Sequence, residues 1–157
     1  MDASHRRYAS SALPDRPVYD WPGGRRLAVY VGLNLETFDF GSGLGAELAP
    51  GGPQPDVLNY GWRDWGNRVG AWRVRDMLDA LGVPASVLVN SRLYRDCPGL
   101  IEAFRARGDE IVAHGRTNAE RQGELDEAAE RALIAEVTGA IARAEGRAPA
   151  GAASVGP

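Results

Sequence analysis

One cysteine in 157 residues, Cys97, excludes an internal disulfide, so nothing in the chain calls for an oxidising compartment. It stands before Pro98 near a predicted helix start, where a structural thiol is the ordinary reading. Long apolar runs are missing as well. The opening stretch "MDASHRRYASSALPDRP" lacks the apolar segment of ~7–15 residues that a secretory signal needs, and no stretch reaches the ~18 apolar residues of a membrane span. A cytoplasmic protein without membrane attachment is the resulting expectation. Histidine is scarce: only His5, in the polar lead-in, and His114. No Ser-His-Asp or Cys-His arrangement therefore competes for the chemistry. An excess of positive charge is absent too, with 18 basic against 21 acidic residues. Arg25 and Arg26, or Arg105 and Arg107, are interleaved with acids and form no stripe of the kind a phosphate backbone selects, which argues against a nucleic-acid partner.

What is present reads as one globular domain. Apolar residues make up 44% and charged residues 25%, and 157 residues suffice for one core. Residues 1–20 are polar, proline-bearing and aperiodic, so a flexible lead-in is expected there. Pro22-Gly23-Gly24 is turn punctuation. Leu27 to Leu35 is a mostly apolar run that predicts a strand covered on both faces, as in parallel α/β sheets. A long Gly- and Pro-rich loop, "GSGLGAELAPGGPQPDVLN", follows, and loops of that length in compact domains are usually functional or flexible. A helix is predicted over 64–81, with Gly70, Val74, Met77, Leu78 and Leu81 on one apolar face and Gly82 as its stop. Trp62 and Trp65 read as packing residues, and Trp72 as lying off the apolar stripe, facing a loop or another subunit. "VPASVLVN", 83–90, predicts a second strand. A helix capped by Asp96 follows, with Pro98 in its first turn and Leu100, Ile101 and Phe104 inward. "DEIVAHG", 109–115, predicts a third strand. The last helix is expected over 126–145, with Leu133, Ile134, Val137, Ile141 and Ala144 on one face, and a disordered tail over 150–157. Strand and helix alternate, which argues an α/β fold of parallel βα units joined by right-handed crossovers.

In such folds ligands bind at the carboxyl ends of the strands. Strand one ends at Glu36, strand two at Asn90 and strand three at His114, so Glu36 and His114 share a rim. A carboxylate and an imidazole on one rim suit general acid/base hydrolysis. Each has a plain structural reading: His114 as a satisfied strand-end histidine, Glu36 as the first solvated loop residue, and Asp39 as a turn former beside Gly41.

Three stretches, "RPVYDWPGGRRLAVYVGLNLET", "YGWRDWGNRVGAWRVRDMLDALGVPASVLVNS" and "CPGLIEAFRARGDEIVAHGRTN", resemble the polysaccharide deacetylase superfamily, carbohydrate esterase family 4. They are most similar to the branch with metal-independent allantoinases. The resemblance runs from about Arg16 to Pro149 and implies a partial domain over 21–149. It implies parallel βα units forming about the N-terminal half of a distorted (β/α)7–8 deacetylase barrel, with hydrolysis of an amide-type C–N bond at its mouth. The first motif of the family is usually T-F-D-D, with a base and then a metal ligand, and the second is H-S/T-x-x-H, with two metal-binding histidines. Here the second reads "HGRTN", retaining His114 and placing Asn118 where the other histidine stands. The first motif fits in two registers: base at Glu36 with Thr37 at the metal position, or base at Asp39 with Phe40 there. A nine-residue strand over 27–35 is already long against a usual ~5–6, which favours Glu36.

In both registers His114 is the only retained ligand position, so the resemblance implies no resident cofactor, with zinc rebuilt from Glu36, Asp39 and His114 as the alternative. Glu36 would activate water and His114 would orient or protonate the substrate. Asn118, Asn90 and Asp39 would hydrogen-bond a small amide, ureide or N-acetyl sugar. The resemblance stops near Pro149, short of a whole barrel, so a truncated form with open strand edges is expected, with impaired activity or homo-oligomer formation. A non-catalytic remnant or interaction module of the same fold is the alternative reading.

Overall fold

Three strands, β1 (Gly32–Leu35), β2 (Ser86–Val89) and β3 (Glu110–Ala113), pair in the order β1-β2-β3, all parallel. They belong to a computed structural model that describes residues 9–49 and 51–152. Parallel neighbours need long connections, and here these are helical. From β1 the chain reaches β2 through α1 (Val57–Trp65), a wide π-type turn (Gly66–Gly70) and α2 (Ala71–Leu81), which run on without a break. The short α3 (Leu93–Asp96) and α4 (Pro98–Ala106) join β2 to β3, and α5 (Glu127–Glu145) follows. The α/β class read from the sequence is the class observed. Among the described residues no helix is long and apolar enough to cross a membrane.

The two-residue strand period sends Leu35, Val87, Val89, Ile111 and Ala113 to one face, where they are buried with Phe104 and Ile141. On the other face Asn34 is exposed and Leu88 and Val112 are half-buried. The sheet thus buries mainly one face, and strand one is not covered on both faces as predicted. Strand one is also shorter than the expected 27–35. Among the described residues its upstream end has no strand partner, because Ser86 N donating to Val31 O is where the ladder with β2 begins, and Leu27, Val29 and Tyr30 are exposed. Trp21 and Arg25 close the expected turn around Pro22-Gly23-Gly24 with a pair of backbone bonds.

The helices follow their predicted apolar faces only in part. Asp56 caps α1 by accepting from Asn59 N at 3.0 Å, so this helix starts seven residues before the predicted Asp64. The π-type turn joins α1 to α2, and within α2 the inward stripe is narrow: Ala71 and Leu78 are buried and Val74 half-buried between them. Met77 and Leu81 are accordingly exposed, contrary to expectation, while Gly82 stops the helix in the left-handed conformation. Trp62 and Trp65, expected to pack, are exposed. Asp96 does not cap α4: it pairs with Arg92 and Arg95, and Cys97 takes the cap position without a side-chain bond. Leu100, Ile101 and Phe104 do turn inward. In α5, Asp126 caps by accepting from Ala129 N at 2.8 Å, and Leu133, Val137 and Ile141 form a stripe too narrow to include Ile134 or Ala144, which are exposed. The expected disordered tail over 150–157 does not hold at its start. Ala113 N donates to Gly151 O, and Ala152 bridges Ala113 in parallel. Residues 153–157 lie outside the described residues, as do residues 1–8 of the expected lead-in.

At the amino end of the sheet, buried Asp109 holds three elements together. Its carboxylate accepts from Ala85 N at 2.9 Å, just before β2, and from Arg107 Nε at 2.9 Å. Arg107 in turn donates to Val83 O at 2.9 Å and pairs with Asp79 of α2. Removing one partner from such a buried set leaves the other without its compensation. Asp109→Ala should therefore lose about 3 kcal/mol of stability, read as a lowered urea midpoint with an unchanged slope.

Candidate active site

Parallel register builds the site. Leu35, Val89 and Ala113 are register partners, so the next residues, Glu36, Asn90 and His114, form a row across the carboxyl rim on the face opposite the helices. The ladder itself continues into the row: Asn90 N donates to Leu35 O and His114 N to Val89 O. Asn90, at its centre, is 0% exposed. Its Oδ1 accepts from Thr37 N at 2.8 Å, and its Nδ2 donates to the His114 carbonyl and to Asn118 Oδ1. Asn90, expected to bind substrate, has both ends of its amide bonded to protein groups. A buried amide with both ends engaged by protein is a brace between three strand ends.

Glu36 and His114 meet over that brace. Their strands are two spacings apart, about 9.5 Å, yet the side chains span the gap because the residue between them is short. His114 Nε2 lies 3.2 Å from Glu36 Oε1, and Asn34 Nδ2 donates to the same oxygen at 3.0 Å. The His114 side chain is 7% exposed and that of Glu36 25%, so the carboxylate is the member of the pair that faces solvent. The hydrogen bond from His114 holds the Glu36 carboxyl below its ordinary range. Burial opposes this, while the Asn34 and Asn118 amides and attraction to His114 add to it. An ionised carboxylate only accepts, so His114 Nε2 carries the proton in this contact.

The other predicted residues take supporting places. Asn118 accepts from Asn90, and its backbone N donates to Thr37 O at 2.8 Å. The two positions at which the resemblance would put metal ligands, Thr37 and Asn118, are thus tied to each other. Asp39 takes no place in the row: its carboxylate pairs with Arg92. Glu36 does stand at the end of its strand, although that strand is four residues long and not nine. Beyond Asp39 the loop docks on the segment after His114, with Leu44 N donating to Ala119 O. Gly43 permits this, because at φ +78° an added Cβ would lie 2.6 Å from Ala119 O.

Between β1 and the α1–α2 rod lies a cleft of about 300 Å³ bordered by Asn34, Glu36, Phe38, Trp62, Arg63 and Asn67. Asn67 and Arg63 carry no signal of their own in the sequence. Asn67 Nδ2 donates to the Glu36 carbonyl at 2.6 Å, and it reaches that atom from within the π-type turn. The glycines that flank "GNRVG", Gly66 and Gly70, are the feature that could have marked this turn. Among the described residues no group of three or more His, Cys, Asp or Glu side chains could hold a metal ion. At the rim Glu36 and His114 offer two donors where an open zinc site uses three, so this donor set does not fit a zinc centre and no step below passes through one.

No family model matches the chain, and no curated protein sequence does. Solved structures do. Puue allantoinase matches with TM-score 0.73 and 24% identity, over 89% of this chain and 51% of that one. A Pseudomonas aeruginosa PAO1 protein described as a "probable Polysaccharide deacetylase" matches with TM-score 0.70 and 27% identity, over 84% and 48%. The chain therefore spans about half the length of these structures. Its fold is that of about half of a deacetylase barrel, which supports the superfamily that the sequence motifs resemble.

Folding lowers the Glu36 value, so the stability this group contributes is complete above the ordinary carboxylate range and is lost as pH falls through the lowered value. Thermal unfolding of the wild type and Glu36→Gln should differ most at neutral pH. The difference should shrink on acidification below that range, and a gap independent of pH would contradict the ion-pair geometry.

Proposed function

We propose that the chain is a hydrolase of non-peptide C–N bonds, acting on a small amide, ureide or N-acetyl sugar, with residues 21–149 as the functional unit. The observation that carries this reading is the solvent-facing Glu36 carboxylate, held ionised against a buried His114 at the carboxyl rim. The names of the solved neighbours, an allantoinase and a polysaccharide deacetylase, support it. So does the size of the cleft, at the lower end of what small-molecule sites occupy.

Glu36 takes a proton from a water molecule as that water adds to the amide carbon. The C–O bond forms, and the carbonyl electrons move onto oxygen. When the tetrahedral species collapses, the C–N bond breaks and the departing nitrogen receives the proton held on Glu36. His114, behind the carboxylate, donates to it through Nε2–H, fixes its orientation and compensates its charge. A lowered value keeps Glu36 in the basic form at neutral pH but makes it a weaker base, and water exclusion by bound substrate pushes the value back up. Asn118 and Asn34 hold the pair, and Asp39 with Arg92 anchors the neighbouring loop. The open sheet face favours a second reading, a non-catalytic module of the same fold that offers this face to a partner.

A panel of small amides and ureides, followed by release of amine or ammonia from the 157-residue chain, separates the two. Turnover should fall about a hundredfold or more in Glu36→Gln and in His114→Ala. Equal turnover in wild type and both variants would overturn the assigned roles, and no turnover with any compound would favour the module.

A further inference from the structure

Arg63 borders the same cleft as Glu36, and it is held there by Phe38 and Asn59. Its guanidinium lies over Phe38, with Cζ 3.8 Å from the ring centroid. Its Nε donates to Asn59 Oδ1 at 3.1 Å, and buried Asn59 is itself fixed by donating to Gly45 O at 2.7 Å. Gly45 leaves room for it, since a Cβ there would stand 3.0 Å from Arg63 Nη2. Other arginines near the rim are neutralised: Arg92 by Asp39 and Asp96, and Arg116 by Glu120 and Glu136. Among the described residues Arg63 has no such ion pair. The acids that share its surroundings are engaged elsewhere, Asp64 with Arg68 at 2.5 Å and Glu36 with His114. Arg63 also stands one helical turn before Asn67, the residue that tethers the Glu36 backbone, so Arg63 and Glu36 border one small space.

A guanidinium over a ring, whose terminal nitrogens make no hydrogen bond or ion pair among the described residues, presents a planar pair of N–H donors, the complement of a carboxylate. We infer that Arg63 is the specificity-determining residue of this cleft, selecting small amides or ureides that carry a carboxylate, an inference that rests on the hydrolase reading above. The cation would also offset the repulsion that an anionic substrate meets from Glu36.

The test pairs N-acetylglycine with its neutral isostere N-acetylglycinamide, with binding to the full chain followed by NMR titration, so that it does not depend on turnover. The wild type should bind the carboxylate about tenfold more tightly than the amide, with the preference falling as salt is raised. Arg63→Met should bring the ratio close to one, and Arg63→Lys should retain part of it, as a point charge without the fork. If Arg63→Met does not fold, the Lys variant and the salt dependence of the wild type decide. No preference in the wild type, or a preference that survives Arg63→Met, or one indifferent to salt, overturns the inference. Glu36→Gln separates the two readings, because it should abolish hydrolysis while the carboxylate preference is kept or raised, the repulsion from Glu36 being gone. A wild type that shows the preference yet hydrolyses nothing supports the role of Arg63 and counts against the hydrolase alone.

Discussion

The carboxyl rim depends on one buried amide. Asn90 ends the central strand with no access to water, so both ends of its side chain must find partners inside the protein. It finds them on the segments that follow the two outer strands: Thr37 N after β1, and the His114 carbonyl and Asn118 Oδ1 after β3. Three chain segments that are far apart in sequence are thereby fixed in one row. The Glu36–His114 contact above Asn90 is a consequence of this. It needs strand ends in register and a short side chain between two long ones. At the opposite end of the sheet Asp109 performs the same service between β2, β3 and α2, so each end of a small three-stranded sheet carries one buried polar tie.

Electrostatics divides the labour within the row. Burial alone would raise the Glu36 value, but the hydrogen bond from His114 outweighs it and leaves an anion at the solvent boundary. That anion has the amide donors of Asn34 and Asn118 around it, and Arg63 lines the same cleft as Glu36. The arrangement suits proton transfer to and from water at a carbonyl carbon. Metal chemistry asks for a third donor, and Thr37 and Asn118 occupy the positions where the resemblance would supply it.

How far this was legible in the sequence depends on whether local pattern or tertiary packing decides the feature. The rim order Glu36, Asn90, His114 follows from where apolar runs end, and the choice of Glu36 over Asp39 agrees with a structure in which Asp39 is taken up by Arg92. The reason first given for that choice, a long strand, was not the physical one, since pairing with β2 starts only at Val31. The bracing contacts of Asn90 are not legible in the sequence, because a strand-end asparagine looks the same whether it faces ligand or neighbouring backbone. Asn67 and Arg63 carry no local signal for a related reason: Asn67 sits in a π-type turn that the apolar period does not mark, and Arg63 is placed by its contacts with Phe38 and Asn59. Helix caps at Asp56 and Asp126 act locally, and of the two Asp126 fell where a helix start was predicted.

The central claim is that Asn90 holds a protonated His114 Nε2 against an ionised Glu36. Nitrogen-15 NMR of the His114 imidazole at neutral pH, in the wild type and in Asn90→Ala, tests it most directly. The account predicts a proton on Nε2 with a hydrogen-bonded shift in the wild type, and loss of that shift in the variant although Glu36 is still present. A neutral ring protonated only on Nδ1, or a spectrum unchanged by Asn90→Ala, would contradict it.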